Sequence, residues 1–290
     1  MDPTTSMYVA QGIHGIAYGM ILFLIASGLT IIFGMMGILN LAHAAFFMLA
    51  GYFCYQVTAI TGSFWMGLLL APVFTAFFGI IVERVFLRRI HAFGHLGELI
   101  LTLGIAQVIL AFVKIIWGTE SLPVKVPDLL TGIVSLGGLE YPVYRLFVIG
   151  LAMVVLVFML LLLYKTRLGK IVRAAVSDRD MVNALGINIP VIYMIVFFFF
   201  SWLAGVAGVA IAPILTVFPG LADQVGMDAF IVVVTGGFGS LAGAFIVSII
   251  FGLLSSFGVQ FLSQLAPVLM VGFMAIVLAI RPNGLFGVEE

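Results

Sequence analysis

The sequence predicts an all-α fold, a polytopic transmembrane helical bundle of about eight spanning segments that forms one transmembrane domain over residues 1–290. Of the 290 residues, 64% are hydrophobic and 8% are charged, and the mean hydropathy is +1.32. Soluble domains carry far more charge, so the composition indicates an integral membrane protein. Uncharged apolar runs recur that are long enough to cross ~30 Å of hydrocarbon as helices, whereas a membrane β-barrel would show short alternating segments.

Apolar runs between polar breaks locate the spans. The predicted spans are 11–33, 41–60, 64–82, 98–117, 143–164, 190–217 and 264–280, with a longer apolar region at 227–258. One helix over 227–258 would be ~48 Å long, which exceeds a single upright crossing. The glycines of TGGFGS, 235–240, favour a break, so we predict two half-length helices that enter the membrane and return. A single long, tilted helix is the alternative.

Glycines also interrupt the first half of the chain, in FGMMGILNLAH at 33–43. Transporters built from structural repeats carry interrupted helices in corresponding positions, with exposed backbone facing the substrate path. We therefore predict broken or re-entrant helices near 34–43 and 235–240. The residues predicted to line the path are Asn40, His43, Gly236, Gly237, Gly239 and Ser240. The alternative at the first break is a tight connection in which Asn40 caps a helix and His43 is a buried polar group.

Basic residues set the predicted orientation. Arg84, Arg88 and Arg89 lie in the loop 83–97, and the loop 165–189 contains five further basic residues. By the positive-inside rule both loops are cytoplasmic, which places the N-terminus outside. Two half-length helices in the long apolar region would put the C-terminus in the cytoplasm, whereas one tilted helix would put it outside.

Small residues at every fourth position mark two helix faces for close packing. Such faces let helices approach closely in lipid, where packing drives association. The two sets are Ala204, Gly208 and Ala212, and Ser240, Ala244, Ser248 and Gly252. The pattern leaves open whether the partner helices belong to this chain or to another.

Common catalytic motifs are missing from the sequence. It contains no GxxxxGK[ST] phosphate loop, no HExxH, no GxSxG and only one cysteine, Cys54, and its four histidines lack zinc-site spacing. We therefore expect a non-catalytic chain with no metal or cofactor of its own. Ionisable residues deep in the spans are nearly absent, with His43 the main exception, which disfavours a carrier driven by an ion gradient.

The segment 168–190 has an apolar stripe among charged residues, which is typical of a short amphipathic helix that lies on a membrane or binds a groove on a soluble partner. Gly186 is expected to end this helix. The sequence resembles the smaller inner-membrane permease of branched-chain amino acid ABC transporters, often called LivH. The resemblance covers about 28–287 and rests on NLAH at 40–43, RAAVSDRDMVNALGI at 173–187, AGVAGV at 204–209, GGFGSLAGA at 236–244 and RPNGLFG at 281–287.

The resemblance implies an importer subunit of the bacterial inner membrane for branched-chain or other small amino acids. The implied partners are a second, homologous permease subunit, two ATP-binding subunits that hold the ATP and Mg, and a periplasmic substrate-binding protein, with no nucleic acid. The segment 168–190 is similar to the coupling segment that docks on an ATPase subunit. The residues expected on this docking surface are Arg173, Ala174, Asp178, Ala184 and Gly186.

Two positions depart from the usual pattern of the family. Ala44 follows NLAH, where glycine is common, and Asp228 stands where lysine is frequent. Asp228 either faces the substrate vestibule, where it would affect which substrates are favoured, or faces only headgroups. Related permeases serve urea, short amides and organic acids as well. The competing classes are a secondary carrier for a small neutral or zwitterionic solute and a pore-forming channel.

Overall fold

Helices make up most of the protein, as the composition predicts. The computed structural model describes residues 3–37, 40–90, 93–136 and 139–287. The helices are α1 (Pro3–Met36), α2 (Ala42–Thr61), α3 (Phe64–Ile81), α4 (Arg88–Ile90), α5 (Gly94–Trp117), α6 (Val143–Lys165), α7 (Arg167–Ser177), α8 (Arg179–Ala184), α9 (Ile189–Leu215), α10 (Leu221–Gly236), α11 (Leu241–Phe261) and α12 (Ala266–Ile280). A π-helical turn, Val82–Leu87, joins α3 to α4, and a 3₁₀ turn covers Asp128–Leu130.

Within the described residues, seven helices are long and apolar enough to cross a membrane: α1, α2, α3 with the turns that follow it, α5, α6, α9 and α11. The all-α polytopic bundle is thereby confirmed. The helix α12 is apolar but has only 15 residues. The predicted spans agree with these helices within a few residues, except at the two ends described next.

The helix α1 begins at Pro3, well before the predicted residue 11. Its additional turns pack against the end of α11, where the rings of Tyr8 and Phe261 lie 5.9 Å apart. The side-chain amide of Gln11 also donates to Gln260 Oε1 at 2.9 Å. Tertiary contacts therefore extend a helix that the hydropathy pattern alone would begin later.

The long apolar region is interrupted where its glycines predict a break. The helix α10 starts at Leu221 and ends at Gly236, and α11 begins at Leu241, so a single tilted helix is excluded. With 21 residues, α11 is long enough to cross the membrane and is not the half-length helix that we predicted. Gly237 and Gly239 have φ values of +97° and +80°, in the left-handed region that glycine adopts without the steric cost of a side chain. The backbone can therefore turn sharply between the two helices.

The first break is also present, but it covers fewer residues than the predicted range 34–43. The helix α1 continues through Gly34 to Met36, Gly37 takes a φ of +68°, and α2 begins at Ala42. Residues 38–39 of the predicted break lie outside the described residues. Gly34 packs closely, since an added Cβ would lie 3.1 Å from the Gly239 α-carbon, which brings the two breaks together.

A short β-hairpin lies in the loop between α5 and α6, and the sequence analysis did not predict it. Strands β1 (Ile133–Leu136) and β2 (Leu139–Pro142) pair antiparallel. Each has only four residues, too few for a clear alternating pattern. Leu122 of the same loop forms an antiparallel bridge with Val217, which ties the loop to the segment after α9.

The helices α1 and α9 form the centre of the bundle. The part of α1 from Met20 to Ile32 is largely buried, and so is the part of α9 from Leu203 to Ala212. Both helices are apolar on all sides. The peripheral helices α5 and α6 bury only one side each. Because a helix that is hydrophobic all round must be enclosed by protein or lipid, the exposed faces of α5 and α6 suit contact with lipid.

Small residues allow the central helices to approach closely. A Cβ on Gly252 of α11 would meet the Gly15 carbonyl oxygen and the Gly19 α-carbon of α1, and a Cβ on Gly208 of α9 would meet the Phe47 carbonyl oxygen of α2. At these positions the partner helices belong to this chain. The other fully buried members of the two small-residue sets are Ala204, Ala212, Ala244 and Ser248.

Replacing Gly252 by alanine tests the packing of α1 on α11. The added methyl group has no room between the backbones, so Gly252→Ala should destabilise the protein by about 1–3 kcal/mol. Gly12→Ala is the matched control, since Gly12 of α1 has open space around its Cβ position. It should be neutral or stabilising by up to ~1 kcal/mol. Thermal unfolding in detergent measures both, and equal melting temperatures would contradict this packing.

Candidate functional site

The amphipathic segment consists of two short helices rather than one. Thr166 caps α7, since its Oγ1 accepts a hydrogen bond from the Gly169 amide at 3.0 Å. Asp178 caps α8 in the same way and accepts from the Met181 amide at 2.9 Å. A side-chain acceptor at this position satisfies a free helix N–H, so the chain turns at Asp178 and starts a new helix. Gly186, with a φ of +82°, follows the end of α8 as predicted.

The helix α7 turns its apolar side toward the bundle and its charged side away. Val172 and Ala175 are buried, and the Arg173 guanidinium lies 4.6 Å from the centre of the Tyr164 ring. The five residues predicted to dock on an ATPase subunit are all exposed: Arg173, Ala174, Asp178, Ala184 and Gly186. A partner can therefore reach each of them, and their role remains a prediction.

A cavity of about 1070 Å³ lies between α7 and the two helix breaks, and we call it the Gly239 cavity. It is lined by the ends of α1, α6 and α10, the start of α11, the side of α7 and the segment 282–287. Gly239 and Ser240, both predicted on the substrate path, are among its lining residues. Ser240 also caps α11, because its Oγ accepts from the Gly243 amide at 3.1 Å.

The C-terminal motif RPNGLFG covers the end of α10. The amide of Leu285 donates to the Thr235 carbonyl at 2.9 Å, and that of Phe286 donates to the Gly236 carbonyl at 3.1 Å. Carbonyls at a helix end otherwise lack partners within the helix. Gly237 is pressed against Gly284, whose Cβ position lies 2.6 Å from the Gly237 α-carbon. Gly236 and Gly237 are buried under this cover, and neither is among the described residues that line the Gly239 cavity.

Asn40 and His43 lie at the start of α2, deep in the protein, each 1% exposed. Asn40 Oδ1 accepts from the Ala42 amide at 3.1 Å, so it does hold the start of the helix. The His43 ring packs against Gly28, about two turns before the end of α1. Among the described residues, neither ring nitrogen has a well-formed hydrogen bond, and neither Asn40 nor His43 lines a described cavity.

A second cavity, of about 630 Å³, lies at the opposite end of the same helices, and we call it the Asp228 cavity. The starts of α1, α6, α10 and α12 and the ends of α9 and α11 line it. The Tyr18 hydroxyl donates to Asp228 Oδ2 at 2.5 Å. Asp228 therefore lines a cavity, and its place in a substrate vestibule remains a prediction.

The wall of the Asp228 cavity also contains a basic cluster. The Arg145 guanidinium contacts the His14 imidazole, and the Tyr141 hydroxyl lies 2.9 Å from His14 Nδ1. Burial raises the pKa of the Tyr141 hydroxyl above its ordinary value, an effect that Arg145 opposes. The sequence analysis missed His14, Tyr18 and Arg145. The spacing of His14 and Tyr18, one turn apart at the start of an apolar helix, was the available signal.

The two cavities come close to each other along α10. Ile231 belongs to the Asp228 cavity and Val234 to the Gly239 cavity, so about one turn of helix separates them there. On α1 the corresponding residues are Ile21 and Ile31. Buried side chains such as Val232 and Val233 close the layer between them. The structure therefore holds a closed, mainly apolar layer between the two cavities.

Seven apolar helices of spanning length among the described residues define a multi-pass membrane protein. The chain belongs to the family of branched-chain amino acid transport system permease components, whose model matches residues 13–280. It is similar to the high-affinity branched-chain amino acid transport system permease protein BraD of Pseudomonas aeruginosa, with 30% identity over 99% of this chain and 98% of that protein. LivH of Escherichia coli K12, described in the same words, is 27% identical over 98% of this chain and 96% of its own length.

A solved structure shares the fold. PsaBC from Streptococcus pneumoniae, in complex with a Fab, superposes with a TM-score of 0.53 and covers 94% of this chain and 92% of that chain. Sequence identity is only 11%, so the similarity shows the arrangement of the helices and nothing about the solute.

Replacing Gly237 by alanine tests the covered break. Both Gly237→Ala and Gly239→Ala force a side chain into the left-handed region, which costs about 1–2 kcal/mol. At Gly237 the methyl group would also meet the Gly287 backbone, whereas at Gly239 the nearest atom is the Gly34 α-carbon at 3.6 Å. Gly237→Ala should therefore lower the melting temperature more and expose the C-terminal segment to protease. Equal protection in both variants would contradict the cover at Gly237.

Proposed function

We propose that this chain is the transmembrane permease subunit of an ATP-driven ABC importer for branched-chain or other small amino acids. In this proposal the substrate path runs from the Asp228 cavity to the Gly239 cavity, through the apolar layer along α1 and α10. The observation that carries the proposal is the pair of cavities at opposite ends of the same helices, separated by about one turn of α10. A permease needs such a layer to remain closed to water while it changes access.

The position of α7 supports coupling to a separate ATPase. Val172, Arg173 and Val176 line the Gly239 cavity together with the break between α10 and α11. A Cβ on Gly34 would lie 3.4 Å from Val176 Cγ1 and 3.1 Å from the Gly239 α-carbon, so α1 contacts both α7 and the break. A subunit that displaces α7 would move the wall of this cavity directly. ATP then favours one access state only through a difference in affinity for the two states.

The proposed assembly is the one that the similarity to branched-chain amino acid permeases implies. This chain forms one half of a bundle with a second, homologous permease, and its helices α7 and α8 dock on one of two ATP-binding subunits. A periplasmic binding protein delivers the substrate. The loops 83–97 and 165–189 face the cytoplasm of a bacterial inner membrane, and the N-terminus is periplasmic. The segment 282–287 lines the same cavity as α7, which supports a cytoplasmic C-terminus.

Reconstitution in vesicles tests the proposal against a secondary carrier. The full set of subunits should show ATPase activity that rises with binding protein and L-leucine, and uptake should stop without ATP. Collapse of the proton and ion gradients should leave uptake unchanged. Transport by this chain alone, or uptake that follows the gradient, would contradict an importer subunit, and ATP-independent current would indicate a channel.

Charge reversal on α7 tests the docking surface. Arg173→Glu combined with Ala184→Trp should abolish the substrate-stimulated ATPase activity, because both residues are exposed on the proposed docking face. Lys125→Glu is the control, since Lys125 is exposed in the loop between α5 and α6, remote from α7. The second permease should still co-purify with the double variant. Full stimulation of the double variant would show that the ATPase docks elsewhere.

Alanine variants at the first break test whether it belongs to the path. Asn40→Ala and His43→Ala should each lower the rate of uptake several-fold, because we place these buried polar groups beside the apolar layer that separates the two cavities. Co-purification with the second permease and the melting temperature of the complex report whether the fold survives. Normal uptake in both variants would identify this stretch as a structural connection only.

A further inference from the structure

The Asp228 cavity contains two opposite charges that do not neutralise each other. Among the described residues, no cation lies within 4.0 Å of the Asp228 carboxylate and no carboxylate lies that close to the Arg145 guanidinium. Each instead has a neutral aromatic partner on α1, the Tyr18 hydroxyl for Asp228 and the His14 ring for Arg145. A partly buried charge without a counter-charge is costly, so the cavity favours a ligand that brings both.

Both charged groups have their partners on one face of α1. His14 and Tyr18 are four residues apart on the helix, which places their Cβ atoms about 5–6 Å from each other. A ligand that bridges Asp228 and Arg145 must carry two opposite charges of its own. An α-amino acid does so, because its ammonium and carboxylate groups are bonded to the same carbon.

The Asp228 carboxylate and the Arg145 guanidinium can each form further hydrogen bonds. Tyr18 donates to Oδ2 of Asp228, while Oδ1 has no hydrogen-bond partner among the described residues. An ammonium group can donate to that oxygen. Arg145 contacts the His14 ring through one terminal nitrogen, Nη1, and a guanidinium has further N–H groups in a planar fork that fits a carboxylate.

The remainder of the cavity is mainly apolar. Ile21, Ile211, Ile231 and Met270 contribute to its wall. The volume of about 630 Å³ lies within the usual range for a small-molecule site. An aliphatic side chain can be accommodated there while the charged end lies between Asp228 and Arg145.

We propose that the Asp228 cavity is a membrane-embedded binding site for a zwitterionic α-amino acid, in which Asp228 binds the ammonium group and Arg145 binds the carboxylate. Tyr18 and His14 are positioning residues that hold these two groups in the wall of the cavity. This inference rests on the proposed function and adds to it a recognition step inside the permease, after delivery by the binding protein. A neutral amide or urea would leave both charges uncompensated.

Ligand-observed NMR on the purified complex in nanodiscs, without binding protein, tests the site. The probes are L-leucine, 4-methylpentanoate, which lacks the amine, and 3-methylbutylamine, which lacks the carboxylate, with empty nanodiscs subtracted. Asp228→Asn should lower the affinity for L-leucine about ten-fold or more and leave the affinity for 4-methylpentanoate unchanged. Arg145→Met should weaken L-leucine by a similar factor and leave 3-methylbutylamine unchanged. The unchanged analogue in each case shows that the cavity is intact.

Two control variants remove nearby charges outside the cavity. Asp223→Asn removes the charge of an exposed residue on the same helix as Asp228. Lys125→Met removes an exposed cation from the loop between α5 and α6. Neither residue is among the described residues that line the cavity, so both variants should bind L-leucine as the unmodified complex does. Arg145→Lys should restore part of the affinity lost in Arg145→Met.

Several results would overturn the site. The first is that L-leucine does not bind to the unmodified complex. The second is that Asp228→Asn or Arg145→Met lowers the affinity for all three probes equally. The third is that both variants bind L-leucine with unchanged affinity. Displacement of L-leucine by nanodiscs rich in phosphatidylethanolamine would assign the cavity to a zwitterionic lipid headgroup instead. If the unmodified complex still shows ATPase stimulation by binding protein and L-leucine, such a result removes only this site and leaves the importer function in place.

Discussion

The architecture depends on one constraint, that backbone N–H and C=O groups cannot remain unpaired in hydrocarbon. Continuous helices meet it by themselves, but the break between α10 and α11 does not. Here the amides of Leu285 and Phe286 pair with the carbonyls of Thr235 and Gly236, and Ser240 caps the next helix. The C-terminal segment thus makes a sharp turn possible next to the Gly239 cavity.

Close helix packing serves the same arrangement. Glycines at Gly15, Gly19 and Gly252 let α1 lie directly on α11, and Gly208 does so for α9 on α2. These contacts hold α1 in the centre, so that one side of α1 meets the Asp228 cavity near its start and the Gly239 cavity near its end. The layer between the two cavities is mainly apolar, with Ser27 and Thr30 of α1 and His43 of α2 as buried polar residues.

The fold was largely predictable because hydropathy and glycine breaks are local signals. Run lengths located the spans, and the glycines of 235–240 located the second break. The site was less predictable. Asn40 and His43 drew notice as polar residues in an apolar stretch, yet both are buried away from the described cavities, whereas Arg145 and Tyr18 line one. The sequence pattern around a polar residue near the end of a span is the same whether the side chain faces lipid headgroups or a cavity.

By itself, the sequence determined that the chain is a helical membrane protein with two interrupted regions and an amphipathic segment, because each of these depends on neighbouring residues. Only the tertiary structure decided which residues share a cavity. Tyr18 and Asp228 are 210 positions apart in the chain, and His14 and Arg145 are 131 apart. Their meeting depends on how α1, α6 and α10 pack, and packing in lipid follows the shapes of whole helix faces rather than any local motif.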